Sequence, residues 1–347
     1  MIVDVRAPGL SDRVAAALSE FLAGQRATLA GLSADLVPAA EAIAEYVLVA
    51  GKRVRPAFAY WGWRGAGRAD DDAMVAAAAS LELLHGCALM HDDVMDDSET
   101  RRGRPALHRQ FARVHGDGFG RAAAILLGDL ALSWSFGMLR GCGLGPAELD
   151  RGMPVYDQMC TEVTCGQYLD VLAQAQRASS VDTALEVIRL KTAKYTVERP
   201  LHLGGALAGA PPALIAAYSR YGLPVGEAFQ LRDDLLGVYG DPAVTGKPAG
   251  DDLREGKRTV LIALAADRAD AAGRATLDRL VGDPTLDATG VTELRDLIAA
   301  TGAVAEVERM IADRVTAGVA ALAEAPIDPA AATALADLAV AAGQRHV

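Results

Sequence analysis

Leu81–Asp97 reads LELLHGCALMHDDVMDD, and this stretch decides the fold. Its first ten residues, Leu81 to Met90, are apolar on nearly every side of a helix, so the segment belongs inside a bundle rather than on its surface. The pattern reaches back to about Asp72 and forward through His91, Asp92, Asp93, Val94, Met95, Asp96 and Asp97. One helix over 72–96 is predicted, with four carboxylates at its C-terminal end. That end is the negative pole of the helix dipole, where acidic side chains are disfavoured. Something positive must compensate them.

Working outward, apolar residues recur at helical spacing, as at Val14, Leu18, Phe21 and Leu22 and again at Leu185, Ile188 and Leu190, while sustained alternation is absent. Gly and Pro clusters at 64–70, 116–120, 141–146, 209–212, 240–250 and 282–290 cut the chain into roughly ten to thirteen helices with short connections. There is no fixed-period repeat and no long linker, so 1–347 is expected to be a single all-α domain, although 347 residues exceed the usual domain size. A composition of 51% hydrophobic and only 5% aromatic residues supplies ample material for helix packing. Net charge is -11 with no basic stripe, which argues against a nucleic-acid partner. Cys87, Cys142, Cys160 and Cys165 lack paired zinc-type spacing and read as reduced, mostly buried thiols. No basic-then-apolar leader opens MIVDVRAPGL, and no uninterrupted apolar stretch reaches the roughly 18 residues of a membrane span. A soluble, cytoplasmic protein is expected.

Asp92 and Asp96, four residues apart, share a helix face, with Asp93 beside them. Oxygen ligands at that spacing, with no His or Cys pair nearby, select magnesium, whose shell is completed by water and substrate phosphates. The alternative for one such cluster is a solvated acidic helix end. A second cluster, Phe229-Gln230-Leu231-Arg232-Asp233-Asp234, again puts paired carboxylates after an apolar helical stretch, and two such ends can face each other across a cavity. Lys52, Arg53, Arg55, Arg101, Arg102, Lys191, Lys247 and Lys257 accompany the two clusters. Singly, each reads as a surface charge. Together, metal-binding carboxylates and cations are what a diphosphate requires.

In order and spacing these pieces resemble the polyprenyl synthetase family of trans-prenyltransferases over nearly the whole chain. The resemblance implies an isoprenoid synthase-type helical bundle around a central cavity, about three magnesium ions with diphosphate bound, manganese able to substitute, and a homodimer. It implies that Asp92, Asp93 and Asp96 hold magnesium on an allylic diphosphate, with Arg101 gripping that diphosphate and Arg102 the isopentenyl one. Gly51-Lys52-Arg53-Val54-Arg55-Pro56 matches the isopentenyl diphosphate site, bringing in Lys52, Arg55 and His85. His85 lies two helical turns before Asp92 and shares its face; its alternative is a core histidine. Lys191-Thr192 with Tyr195 matches the Lys-Thr motif, in which the Lys contacts the allylic diphosphate and the Thr helps steer the departing proton. Gln230 matches the glutamine facing the reacting carbons, and Lys247 and Lys257 match further diphosphate-binding lysines. Asp252 stands where an acidic partner is expected. One position departs from the pattern: Asp233-Asp234-Leu235-Leu236-Gly237 lacks the usual fifth-position aspartate. Asp233 is expected to bind metal with Asp234 assisting, and weaker affinity for one ion or an altered metal optimum is the doubt that Gly237 raises.

The implied reaction is condensation of isopentenyl diphosphate with an allylic diphosphate: dimethylallyl, geranyl or farnesyl. In the family, product length depends on side chains one or two turns before the first motif, here Cys87 and Ala88, with Leu84 and Ser80 deeper. None is aromatic, so geranylgeranyl diphosphate is expected and farnesyl diphosphate is the alternative. Trp134 and Phe136 offer a floor from another direction, or are ordinary core aromatics. A class I terpene cyclase would not need Lys52, Arg55 and His85, and a non-catalytic subunit would have lost more of its first motif.

Overall fold

In the computed structural model, which describes residues 7–49, 51–176, 180–240 and 250–344, almost every segment is helical. The helices are α1 (Leu10–Leu32), α2 (Val37–Leu48), α3 (Val54–Gly65), α4 (Asp72–Met95), α5 (Leu107–His115), α6 (Asp117–Arg140), α7 (Pro146–Gln176) and α8 (Val181–Val187). A π-helix over Ile188–Glu198 follows, then α9 (Arg199–Ala208), α10 (Pro212–Tyr239), α11 (Asp251–Glu255) and α12 (Val260–Arg268). The chain closes with α13 (Ala271–Leu280), α14 (Ala288–Ala300), α15 (Ala303–Ala323) and α16 (Pro329–Gly343). There are more helices among the described residues than the Gly and Pro breaks predicted, because several boundaries, such as that between α14 and α15, are single turns. One departure from an all-helical reading is an antiparallel ribbon in which Thr100–Arg101 pairs with Arg104–Pro105. Two residues per strand are too few for any alternation to show in the sequence.

These elements group into two compact units, neither of them one continuous stretch. The first holds Met1–Pro154, Pro200–Pro211 and Ile327–Ala334; the second holds Val155–Arg199, Pro212–Pro326 and Leu335–Val347.

In the first unit α4 is the central element, packed chiefly on α6 and also on α1, α2, α3 and α5. Asp71 caps it by accepting from the Ala73 amide at 2.8 Å. Met74, Leu81, Leu83 and Met90 are fully buried on different sides of the helix, each contributing about 1.5–3 kcal/mol by burial. The helix ends where Asp97 takes a left-handed φ of 52° and the Ser98 amide turns back to the Asp93 carbonyl at 3.0 Å. The predicted span of 72–96 is therefore met to within one residue. No apolar stretch runs uninterrupted over 18 residues, but by length and composition α4 and α6 are both apolar enough to cross a membrane, because isolated charges such as Glu82 and Asp129 do not spoil a long apolar window. Of those windows, 72% of the α4 one and 44% of the α6 one is buried inside the protein.

In the second unit α10 packs on α15 and on the π-helix. Leu231, Leu235 and Val238 of α10 enter a core with Leu261, Leu294, Ile298, Val307 and Ile311. Arg232 fixes the helix rotation by forking onto both Glu308 oxygens at 2.6 Å and donating to the Gly343 carbonyl at 2.9 Å. The π-helix fits because glycines flank it: a Cβ at Gly166 of α7 would stand 2.7 Å from Lys191 Cα, and one at Gly226 of α10 would stand 2.8 Å from Ala193 Cβ. Such wide turns are rare and concentrate at functional sites, and this one carries Lys191, Thr192 and Tyr195.

Candidate active site

The sequence demanded a cation for the acidic end of α4, and the ribbon supplies it. Arg101 donates through Nε to Asp93 Oδ1 at 2.7 Å and through Nη2 to Asp92 Oδ2 at 3.3 Å. Asp93 is wholly buried and its other oxygen accepts from the Tyr46 hydroxyl at 2.8 Å. Burial first, and then the Asp93 charge, raise the Tyr46 phenol, so it stays a proton donor. Both Asp93 oxygens are engaged inside the protein, whereas Asp92 and Asp96 are partly exposed, one Asp96 oxygen, Oδ2, being buried.

A second knot lies about three turns back along α4. Arg53, in a left-handed conformation (φ 48°), makes a buried ion pair with Glu82 and donates to the Val47 carbonyl at 3.0 Å. Arg102, also left-handed (φ 55°), donates to the Val49 carbonyl at 3.0 Å. Strained residues persist where surrounding structure over-determines them, commonly at functional sites. His85 lies among these cations: burial, followed by the charges of Arg55, Arg102, Arg101 and Arg53, holds its imidazole well below the usual range, so the ring is neutral. Lys52 is exposed and Arg55 half-buried. A basin of arginines around a neutral imidazole is an anion-receptive surface.

In the second unit Thr192 Oγ1 donates to Gln230 Oε1 at 2.7 Å, and Gln230 Nε2 donates to Asp234 Oδ1 at 2.8 Å. The three predicted residues thus form one hydrogen-bonded row from the π-helix to the end of α10. Asp234 is 5% exposed and its Oδ2 has no hydrogen-bond partner. Burial pushes its carboxyl up to about 8, the Asp252 and Asp233 charges adding to this against the Gln230 bond and Lys257. Lys191 Nζ donates to Asp170 Oδ2 at 2.6 Å, and Lys257 Nζ donates to Asp252 Oδ1 at 3.2 Å. Lys247 lies outside the described residues.

Ser80, Leu84, Cys87 and Ala88 fall on one face of α4. The first three are buried and Ala88 half-buried. Burial, then the Asp129 charge, pushes the Cys87 thiol up to about 12, so it behaves as a small apolar group. His91 continues the same face, 3.8 Å from Cys87 Sγ through Nδ1 and 3.0 Å from the Ile125 carbonyl through Nε2. Its ring rests on α6 at Gly128, where a Cβ would stand 3.1 Å from His91 Cε1. Trp134 is buried and Phe136 half-buried on α6.

Tyr46, Glu82 and Asp170 were not identified from sequence. Glu82 carried a signal, being the single acid within the apolar run Leu81–Met90, since a carboxylate inside a buried helix requires a partner.

The carboxylates fit a hard cation: they offer only oxygen donors, and Asp234 Oδ2 is a buried acceptor with nothing bonded to it. Among the described residues no three His, Cys, Asp or Glu side chains already form a closed metal cage. Magnesium bound by one or two carboxylates and completed by substrate phosphates does not need one.

Comparison with known proteins gives consistent results. A family described as polyprenyl synthetase matches residues 37–298. A geranylfarnesyl diphosphate synthase of Aeropyrum pernix is 36% identical over 67% of this chain and 70% of its own length. A (2E,6E)-farnesyl diphosphate synthase of Mycobacterium bovis is 33% identical over 83% of this chain and 78% of its own. The crystal structure of a geranylgeranyl pyrophosphate synthase from Corynebacterium glutamicum, complexed with isoprenyl diphosphate and magnesium, superposes with a TM-score of 0.94 at 41% identity, covering 97% of this chain and 99% of that one.

Proposed function

The chain belongs to the polyprenyl synthetase family, and from that premise we propose that it condenses isopentenyl diphosphate with an allylic diphosphate to give a longer all-trans prenyl diphosphate, chiefly geranylgeranyl diphosphate. The observation that carries the reading is the set of cations around His85 beside an intact Asp92-Asp93-Asp96 motif: a second diphosphate substrate needs its own cations, and Lys52, Arg55 and Arg102 supply them. Asp92 and Asp96 in the first unit, and separately Asp233 in the second, would hold magnesium, which supplies neutralisation of the charge on a leaving diphosphate. The solved relative from Corynebacterium glutamicum was crystallised with that ion.

The remaining steps belong to the chain's own groups. Arg101, fixed by Asp92 and Asp93, offers donors to the allylic diphosphate as its bond to carbon breaks. The isopentenyl double bond attacks the allylic cation, and the proton then lost passes to the departed diphosphate, which completes the condensation. Thr192 and Gln230, locked to each other, turn oxygen dipoles rather than a base of full charge toward the reacting carbons. The apolar face of Ser80, Leu84, Cys87 and Ala88 receives the growing tail and excludes water. Its small side chains favour geranylgeranyl over farnesyl length. A homodimer is supported by the exposed Phe119, Ile125 and Leu126 on α6, and four free cysteines fit a reducing, cytoplasmic setting.

The test incubates purified protein with magnesium, isopentenyl diphosphate and each allylic primer, followed by mass analysis. Prenyl diphosphates longer by whole isoprene units, lost on chelation, are expected. No condensation with any primer, or a cyclic hydrocarbon, sinks the reading. Cys87→Phe is expected to shorten the main product, and an unchanged product mass would remove α4 from length control.

A further inference from the structure

Glu82 is the one acid within Leu81–Met90, and it is 5% exposed. A carboxylate buried that deeply is costly unless cations meet it. Two arginines do so. Arg53, itself buried, pairs with it directly. The second is Arg102: a Cβ built on Gly51 would stand 3.5 Å from Arg102 Nη2 and 3.6 Å from Glu82 Oε2, so guanidinium and carboxylate lie against the same point of the chain. Burial holds the Arg102 guanidinium below its ordinary value, and the Glu82 charge is the largest influence against that shift. Both arginines also grip the backbone where α2 ends. Arg53 donates to the Val47 carbonyl at 3.0 Å and to the Leu48 carbonyl at 3.3 Å, and Arg102 donates to the Val49 carbonyl at 3.0 Å. Three successive carbonyls at the negative end of a helix are thereby held by two cations standing beside one carboxylate.

We propose that Glu82 is a positioning residue for isopentenyl diphosphate: its buried carboxylate fixes Arg53 and Arg102, and through Arg53 the segment that carries Lys52 and Arg55, so that these cations are set for the second diphosphate before it arrives. This role rests on the prenyl-synthase reading above. Without ligand, Arg53, Arg55, Arg101 and Arg102 surround the neutral His85 and repel one another. A fixed negative charge one turn from His85 on the same helix keeps like charges together that would otherwise part. Arg53 shows the constraint in its backbone, since its left-handed φ of 48° persists only because the ion pair and the two carbonyls over-determine it. Lys52 and Arg55 flank that strained residue, so their direction follows from its conformation. Glu82 touches neither diphosphate nor reacting carbon in this scheme; it acts through Arg53 and Arg102.

The experiment uses the full chain in steady-state kinetics, varying isopentenyl diphosphate and an allylic primer in turn so that each KM is read separately. Glu82→Gln, nearly isosteric, should raise the KM for isopentenyl diphosphate by roughly 10- to 100-fold. The KM for the allylic primer should not move, because Arg101 is held by Asp92 and Asp93 instead. A carboxylate that served stability alone would lower the melting temperature and the active fraction, but it would not raise one KM and spare the other. Arg53→Lys, which keeps the charge and gives up the fork across Val47 and Leu48, should raise the same KM by a smaller factor. An unchanged KM for isopentenyl diphosphate in Glu82→Gln overturns the proposal, as does an equal rise for both substrates. If Glu82→Gln does not fold, Arg53→Lys decides, and a wild-type KM for isopentenyl diphosphate in that variant overturns the proposal. A wild-type chain that condenses no primer at all sinks the prenyl-synthase reading itself, whereas a missing split between the two KM values leaves that reading standing.

Discussion

The ends of α4 and α10 carry the same pattern, two adjacent aspartates after an apolar run, yet they are compensated in opposite ways. At the end of α4, buried Asp93 accepts from a resident arginine and from a tyrosine hydroxyl. At the end of α10, equally buried Asp234 has one amide bond, a bare oxygen and two acidic neighbours, and its carboxyl rises to about 8. A motif read as letters does not reveal which neighbour neutralises it. The first site has a cation of the chain's own against its buried carboxylate, whereas the second leaves a buried carboxylate oxygen without a hydrogen-bond partner. The same comparison explains why two left-handed residues, Asp97 and Arg102, flank the first motif: the backbone is bent back so that the ribbon can deliver Arg101.

The largest expected break in this comparison comes at Asp92, the partly exposed carboxylate at the compensated site. Asp92→Ala should lower turnover by roughly 10³-fold or more, with the melting temperature near that of wild type because Arg101 keeps Asp93. Retained turnover in steady-state assays with isopentenyl diphosphate and an allylic primer would show that the metal-binding carboxylates have been misassigned.

Next in size is a substitution that makes the first site resemble the second. Arg101→Gln leaves Asp93 buried without its cation, a loss of about 3–5 kcal/mol of stability in urea unfolding. Tyr46→Phe, which removes only a hydrogen bond to the same carboxylate, should cost about 1–3 kcal/mol. Adding Asp93→Asn to Arg101→Gln should return much of the larger loss. If the double variant is no more stable than Arg101→Gln, charge compensation is not what Arg101 supplies.

Much of this was legible in the sequence. The extent of α4 follows from its all-round apolar run, and the row from Thr192 to Asp234 joins residues that the sequence motifs single out. The need for a cation at Asp92-Asp93 was legible too, and Arg101 was named, though for a substrate role. The missing parts are those that distance along the chain conceals: Tyr46 and Asp93 are 47 residues apart, Arg53 and Glu82 are 29 apart, and Lys191 and Asp170 are 21 apart. No periodicity reports such pairs. The π-helix was equally hidden, since its register depends on the backbone approach permitted by Gly166 and Gly226 rather than on its own residues.

The smallest effect tests whether compensation governs buried acids generally in this chain. Glu162 on α7 accepts from Arg199 Nε at 2.7 Å and Lys194 Nζ at 2.8 Å. Burial alone would raise its carboxyl, but the hydrogen bonds from Arg199 and then Lys194 outweigh it and hold the group down at about 2. A carboxyl lowered in the folded state stabilises above its unfolded value, near 4.5, and that contribution is lost as pH falls through about 2. The stability difference between wild type and Glu162→Gln in urea should therefore be full at pH 6 and shrink steadily below 4.5. For Asp234 the sign reverses: its raised carboxyl costs stability as pH climbs from about 4 toward 8, unless a cation takes the charge. A Glu162→Gln difference that stays constant down to pH 3 would mean that the two cations position the side chain without lowering its proton affinity, and the contrast between compensated and uncompensated carboxylates would then hold only at the end of α4.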